Sequence, residues 1–217
     1  MNKIVKNQVL SSNEMMKYIL NLINSFKDNE LKDLCNLFIT EYGREFEYHP
    51  AGIGHHTYTS GLLSHTYNML RQGESISDIY SLNKDLLLTA ILLHDCGKVV
   101  TTDYNKDKEE FKLNPEYVLL QHLTQGVLII ERLALNTNMS KDKMLLLQHM
   151  IASHHGRPEW GSYTYPAFPE AEALHHLDNM DARLDVMFDK LGEMDENTSL
   201  SDRVSSLNDR ILYKHIF

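Results

Sequence analysis

The 217-residue sequence predicts an all-α fold, a bundle of roughly seven or eight helices. Apolar residues recur at helical spacing through most of the chain. Strand signals are weak throughout, and there is neither a repeat nor a low-complexity tract. Hydrophobic residues make up 42% and charged residues 24% of the chain, which suits a soluble globular domain with a sizeable core.

The elements follow in order. Ser11-Ser12-Asn13-Glu14 is a capping-box pattern, and behind it Met15, Ile19, Leu22, Ile23 and Phe26 mark a first amphipathic helix. Leu31, Leu34, Cys35, Phe38 and Ile39 mark a second. Pro50, Gly52 and Gly54 make residues 48–54 a loop. A third helix runs through Leu62–Leu70. The run Leu86–Leu93 is apolar on every side, which predicts a buried central helix. Residues 101–114 are polar and charged and read as an exposed excursion. Helical spacing returns over Tyr117–Leu133 and Lys143–Ile151. The segment from Gly156 to Pro169 is a loop, and Glu170–Leu191 a long helix. Residues 1–192 form the expected domain. Residues 193–217 read as an acidic, polar linker and a short apolar tail docking on it.

Several function classes recede. Apolar runs fall short of a membrane span, the longest being Leu86–Leu93, and no signal peptide is visible after Met1. With only Cys35 and Cys96, one disulfide is the maximum, and a reduced cytoplasmic protein is the simpler reading. A net charge of −9 argues against a broad electrostatic grip on nucleic acid. It leaves room for a short substrate at a metal centre, where bound cations invert the local charge.

Histidine is the unusual residue. The chain has 12, all but His215 falling between His49 and His176. Leu92-Leu93-His94-Asp95-Cys96-Gly97-Lys98 ends the apolar helix with an adjacent His-Asp pair, and Gly97 can terminate that helix. A buried histidine capped by its neighbour would explain the pair alone. The pair is not alone, however. His65 lies on the preceding helix and His122 on the following one, with Gly126 four residues later leaving room beside the imidazole. His149, His154 and His155 precede Gly156. His149 and His154 cannot share a helix face unless the helix ends near Ser153, so at most one of them is a ligand on a regular helix. Asp178 and Asp181 can face inward together. Helical proteins build metal centres in this way, one or two ligand-type residues per helix. Imidazole with carboxylate suits Mn, Fe, Ni, Zn or Mg.

The order His65, His94-Asp95 and a late Asp178 resembles the HD-domain phosphohydrolases. The longer strings are similar to the HD domain of YhaM-type 3′→5′ exoribonucleases. They comprise Pro50-Ala51 with His55-His56, Gly61–Thr66, Leu92–Lys98, His149–Gly156, Glu159–Ser162, Glu170-Ala171, Leu177–Ala182 and Leu207–Lys214. Ser64 and Tyr163 depart from the pattern, standing where Glu and Pro are expected. The family usually carries an N-terminal OB-fold that grips single-stranded RNA, and the residues ahead of Ser11 are too few for one.

The resemblance implies an HD-type helical bundle that binds one or two divalent ions, Mn being favoured. The first would take His65, His94, Asp95 and Asp178. Asp95 would bridge to a second, held by His122 and His154 with His155 as a further ligand. Read from their positions instead, Lys98, four residues after His94, is a candidate for catalysis and phosphate contact, and Arg157 after the His154-His155-Gly156 turn is a second phosphate contact. His56 (with His55) and Trp160 are candidate substrate contacts, with loop and packing roles as the alternatives. His149 reads as a partner behind the ligands or a core residue, and Asp181 as a group that fixes a ligand or caps a partner. The expected reaction is phosphodiester hydrolysis by activated water on short single-stranded RNA or DNA. A small-nucleotide phosphohydrolase and a non-catalytic metal-containing regulatory module are the alternatives. No membrane partner is expected, and the apolar tail would allow a homo-oligomer.

Overall fold

A computed structural model describes residues 10–52, 54–105, 107–108 and 110–215. The expectations placed on the N-terminal residues and on the last two residues of the tail lie outside these. The described elements are α1 (Ser12–Asn24), α2 (Asn29–Tyr48), α3 (Gly61–Tyr80), α4 (Lys84–Leu93), α5 (Lys98–Thr101), β1 (Thr102–Asn105), β2 (Glu110–Leu113), α6 (Pro115–Asn136), α7 (Lys141–Ser153), α8 (Pro169–Glu193), β3 (Leu200–Val204) and β4 (Arg210–Tyr213). Seven of the helices have ten or more residues, and α5 is a single turn. The chain folds as the all-α bundle that the spacing predicts.

Local chemistry explains the ends. Ser11 caps α1 with both hydrogen bonds of the capping box in place. Asp28 caps α2 through the amides of Glu30 and Leu31, and Asn83 caps α4 through Leu86 N. Every residue from Leu86 to Leu93 is buried. That helix is the axis of the bundle and packs on α2, α3, α7 and α8. Its C-terminal end therefore delivers His94 and Asp95 into the interior, where solvation cannot compete with a ligand.

Weak strand signals concealed two small antiparallel hairpins, β1–β2 and β3–β4. The first is the polar excursion. The second begins inside the supposed linker and seats Val204, Leu207 and Leu212 against Val186, Met187 and Leu191 of α8. Strands of four or five residues and mixed polarity carry too few alternations to stand out in sequence.

The reading that no segment suits a membrane also needs correction. α6 has 22 residues and a window of mean hydropathy 1.3, long and apolar enough to cross one by length and composition. Leu123, Ile129, Ile130 and Leu133 of this helix are buried in the protein core. Cys35 and Cys96 are both buried and free, with no disulfide.

Candidate metal centre

Asp95 lies at the middle of the site, 3% exposed, one residue beyond the C-cap of α4. Its two carboxylate oxygens face different histidines. Oδ2 is 3.2 Å from His94 Nε2. Oδ1 is 3.5 Å from His122 Nε2 and 3.8 Å from His154 Nε2.

On the Oδ2 side, His65 Nε2 and His94 Nε2 face each other at 3.2 Å. Asp178 Oδ1 is 3.2 Å from the former and 4.0 Å from the latter. The other ring nitrogens are occupied. His94 Nδ1 donates to the Ile91 carbonyl at 2.7 Å, and His65 Nδ1 donates to Asp181 Oδ2 at 2.8 Å. With the protons on Nδ1, two lone pairs point at one spot, an arrangement that needs a cation.

On the Oδ1 side, His154 Nδ1 donates to the Ile151 carbonyl at 2.8 Å, again leaving Nε2 free. His122 Nε2 and Asp95 Oδ1 are buried without a hydrogen-bond partner, as is His155 Nδ1. Buried unsatisfied groups are costly in a native fold, and here they converge. Donor atoms of His122, His154 and His155 lie within 4.8 Å of one another, as do those of His65, His94 and Asp95.

The electrostatics agree. Burial opposes the ionised Asp95, yet Lys98 and His94 hold its pKa well below the ordinary carboxylate range. Burial likewise opposes ionised Asp178, and the hydrogen bond with His65 together with the charges of His154, His94 and His65 outweighs it, holding its pKa below the ordinary range. Burial pushes His122 down to about 3 and His154 well below its usual value. Burial would lower His65 too, but hydrogen bonds to Asp178 and Asp181 raise it to about 9. A proton there does the job that a divalent cation would do.

Local folding places these groups. Gly97 does not end α4 as a left-handed cap, because its φ is −63°. It is needed for close approach: a Cβ there would lie 2.0 Å from the His122 carbonyl oxygen. The room at Gly126 is taken by the Ile151 side chain and the Cys96-Gly97 turn, not left beside the imidazole. α6 breaks at Gln121, with φ 58° and ψ 170°, one residue before His122. α7 ends at Ser153, so His154 leaves its face and turns inward while His149 stays behind.

A cavity of about 250 Å³ opens over the cluster, lined in part by Asp95, Lys98, His154, His155, Asp178 and Trp160. Lys98 Nζ reaches Asp95 Oδ2 at 2.6 Å. Trp160 is half exposed at the rim.

Three expected site residues stand elsewhere. His56 is buried behind the ligands, where its Nε2 donates to Asp181 Oδ2 at 2.8 Å and its amide to Asp185 Oδ2 at 2.6 Å. Its neighbour His55 lines the cavity instead. Arg157 is absent from the lining, and its guanidinium lies 5.0 Å above the Trp160 ring. His149 accepts from Ala167 N at 3.0 Å and packs on Phe168, so it holds the loop rather than a ligand. Asn179 and Arg183 line the cavity unforeseen. The spacing Asp178, Asn179, Ala182, Arg183 puts them on one face of α8 and was the available signal.

The model of the HD domain family matches residues 62–211, more than half of the chain, a span that includes His65, His94, Asp95, His122, His154, His155 and Asp178. The chain belongs to the HD domain family. It is 36% identical over 216 residues to the 3′-5′ exoribonuclease YhaM of Bacillus licheniformis, covering 96% of this chain and 66% of that protein. Identity to the YhaM of Bacillus subtilis is 34% and to that of Listeria monocytogenes 33%, with the same coverage. The chain thus spans about 66% of these relatives' length. No solved structure shows a significant likeness to it. HD membership implies a divalent metal. The opposed lone pairs of His65 and His94 and the orphaned Asp95 Oδ1 and His122 Nε2 fit such an ion.

Proposed function

We propose that this chain is a metal-dependent hydrolase of phosphodiester bonds, 3′→5′ exonuclease-like, acting on short single-stranded RNA or DNA. The observation that carries the reading is the division of the Asp95 oxygens between two histidine sets. In this reading His65, His94, Asp95 and Asp178 hold one divalent ion, and Asp95, His122 and His154, with His155 beside them, hold another. Manganese is favoured, since mixed imidazole and carboxylate donors suit a borderline-to-hard ion. Such an ion, when bound, polarises the phosphoryl oxygen and brings the acidity of water close to neutral pH.

The chain's own residues do the rest. Asp181 keeps the proton of His65 on Nδ1, so that Nε2 retains its lone pair. Lys98 keeps Asp95 ionised and can give a remaining N–H to a phosphate oxygen. Trp160 offers a ring face at the cavity rim on which a base can stack. Water adds to phosphorus, the P–O bond to the strand breaks, and the departing sugar oxygen takes a proton. No covalent enzyme intermediate is needed. The likeness to 3′-5′ exoribonucleases supports the exonuclease reading. The reduced state of both cysteines supports a cytoplasmic location. The exposed Leu200, Ile211 and Tyr213 of the second hairpin support self-association.

A net charge of −9 and a cavity of about 250 Å³ favour a second reading, a small-nucleotide phosphohydrolase. One experiment separates the two. The Mn²⁺-loaded protein is given 5′-labelled single-stranded RNA, with Asp95→Ala as control. A ladder shortening from the 3′ end, lost in the variant, supports the exonuclease. Intact RNA, with turnover on a panel of nucleotides, moves the assignment to the second reading. Silence on both leaves a binding role.

A further inference from the structure

Among the described residues lining the cavity, the two cations differ sharply. The Lys98 ammonium is paired with Asp95 Oδ2 at 2.6 Å. Arg183 has no ion pair, and its Nη2 is buried without a hydrogen-bond partner. A guanidinium carries five N–H donors and no acceptor, and it stays protonated throughout the physiological range. Leaving one unsatisfied beside a cavity is costly unless a ligand completes it. Arg157, the other arginine near the rim, is stacked over Trp160 instead.

Placement says what the ligand is. Asp178, Asn179, Ala182 and Arg183 form one wall of the cavity. Asp178 belongs to the metal end, and Arg183 lies five residues further along α8, about 7.5 Å of axial rise. Ala182 keeps the wall between them low. A planar fork matched to phosphate oxygens thus stands one step from where the scissile phosphate would sit.

We propose that Arg183, with the Asn179 amide beside it, binds the phosphate flanking the scissile one on its 5′ side. This rests on the phosphodiesterase reading above and deepens it. At the 3′ end of a strand the only flanking phosphate is upstream. A mononucleotide has none, so its binding leaves the guanidinium unpaired. Arg183 therefore selects strands over single nucleotides and offsets the acidic charge of the chain where substrate enters.

The test compares a trinucleoside diphosphate, which carries the flanking phosphate, with a dinucleoside monophosphate, which lacks it. Wild-type, Arg183→Gln and Arg183→Lys proteins are each loaded with Mn²⁺. Charge-assisted hydrogen bonds contribute about 1.5–3 kcal/mol, so Arg183→Gln should shrink the kcat/KM preference for the trinucleotide by about 10–100-fold. Arg183→Lys should recover part of it. Equal losses on both substrates, or no loss on either, overturn the proposal. A second arm needs no metal. In EDTA, binding of a labelled single-stranded oligonucleotide is followed against salt. The log–log slope should become shallower by about 0.7 in Arg183→Gln. An unchanged slope, or no binding by the wild-type protein, overturns the assignment. If no phosphodiester is hydrolysed at all, the catalytic reading fails while the binding arm still decides on Arg183.

Discussion

Gly97 and His122 touch through their backbones: a Cβ built on Gly97 would come within 2.0 Å of the His122 carbonyl oxygen. The turn after Asp95 is thereby wedged against the residue that answers Asp95 from the other side. Neither partner is a flexible side-chain end, so Gly97→Ala must push the backbones apart. Overpacking of this kind costs about 1–3 kcal/mol. Thermal denaturation of the metal-free variant should show that loss, and metal titration should show weakened uptake on the His122 side. Unchanged stability with full metal uptake would contradict the packing argument.

Asp181 governs His65 without facing the cavity centre. Its Oδ2 accepts hydrogen bonds from both His65 Nδ1 and His56 Nε2 at 2.8 Å. Asp181→Asn should lower metal affinity by about 10–100-fold, the usual effect of removing a carboxylate behind a histidine ligand. Competition with a fluorescent chelator measures it. The far-ultraviolet circular dichroism should stay that of a helical protein.

Metal loading should stabilise the fold. An ion that binds the native state alone adds about 2.7 kcal/mol at a hundred times its dissociation constant. Melting of EDTA-treated protein should therefore shift upward on adding Mn²⁺, and the shift should vanish in Asp95→Ala. A shift of equal size in the variant would place the ions elsewhere.

Acid should weaken the fold partly through His149, which burial holds below its ordinary pKa. The unfolded chain then takes up its proton at a higher pH than the folded one. The contribution is full above about pH 6.5 and declines as pH falls from there toward the depressed folded value. His149→Gln can keep an acceptor for Ala167 N and removes the titration. Urea denaturation in EDTA at pH 7.5 and 5.5 should show a smaller difference for the variant than for wild type.

The elements that the sequence announced are those whose signal is local or repetitive. The Ser11–Glu14 capping box, the all-apolar Leu86–Leu93 and the length of α8 are of this kind. What stayed hidden depends on contacts between distant residues. Adjacent His55 and His56 look alike in sequence, yet only the fold turns one into the cavity and ties the other to Asp181 and Asp185. Gly97 looked like a helix stop because the carbonyl it must clear belongs to α6. Arg183 passed unnoticed because an arginine on a helix is ordinarily a solvated one, and nothing nearby in sequence marks it as unpaired.

α8 serves three neighbours at once. Asp178, Asn179 and Arg183 look into the cavity, Asp181 and Asp185 hold His56, and Val186, Met187 and Leu191 seat the second hairpin. Each added residue turns a helix by about 100°. An insertion or deletion of one codon inside this stretch would swing everything downstream off its partner, so descendants of this gene can change α8 by substitution but not by length. A change of length leaves these three contacts in register only at the ends of the helix, before Pro169 or after Glu193.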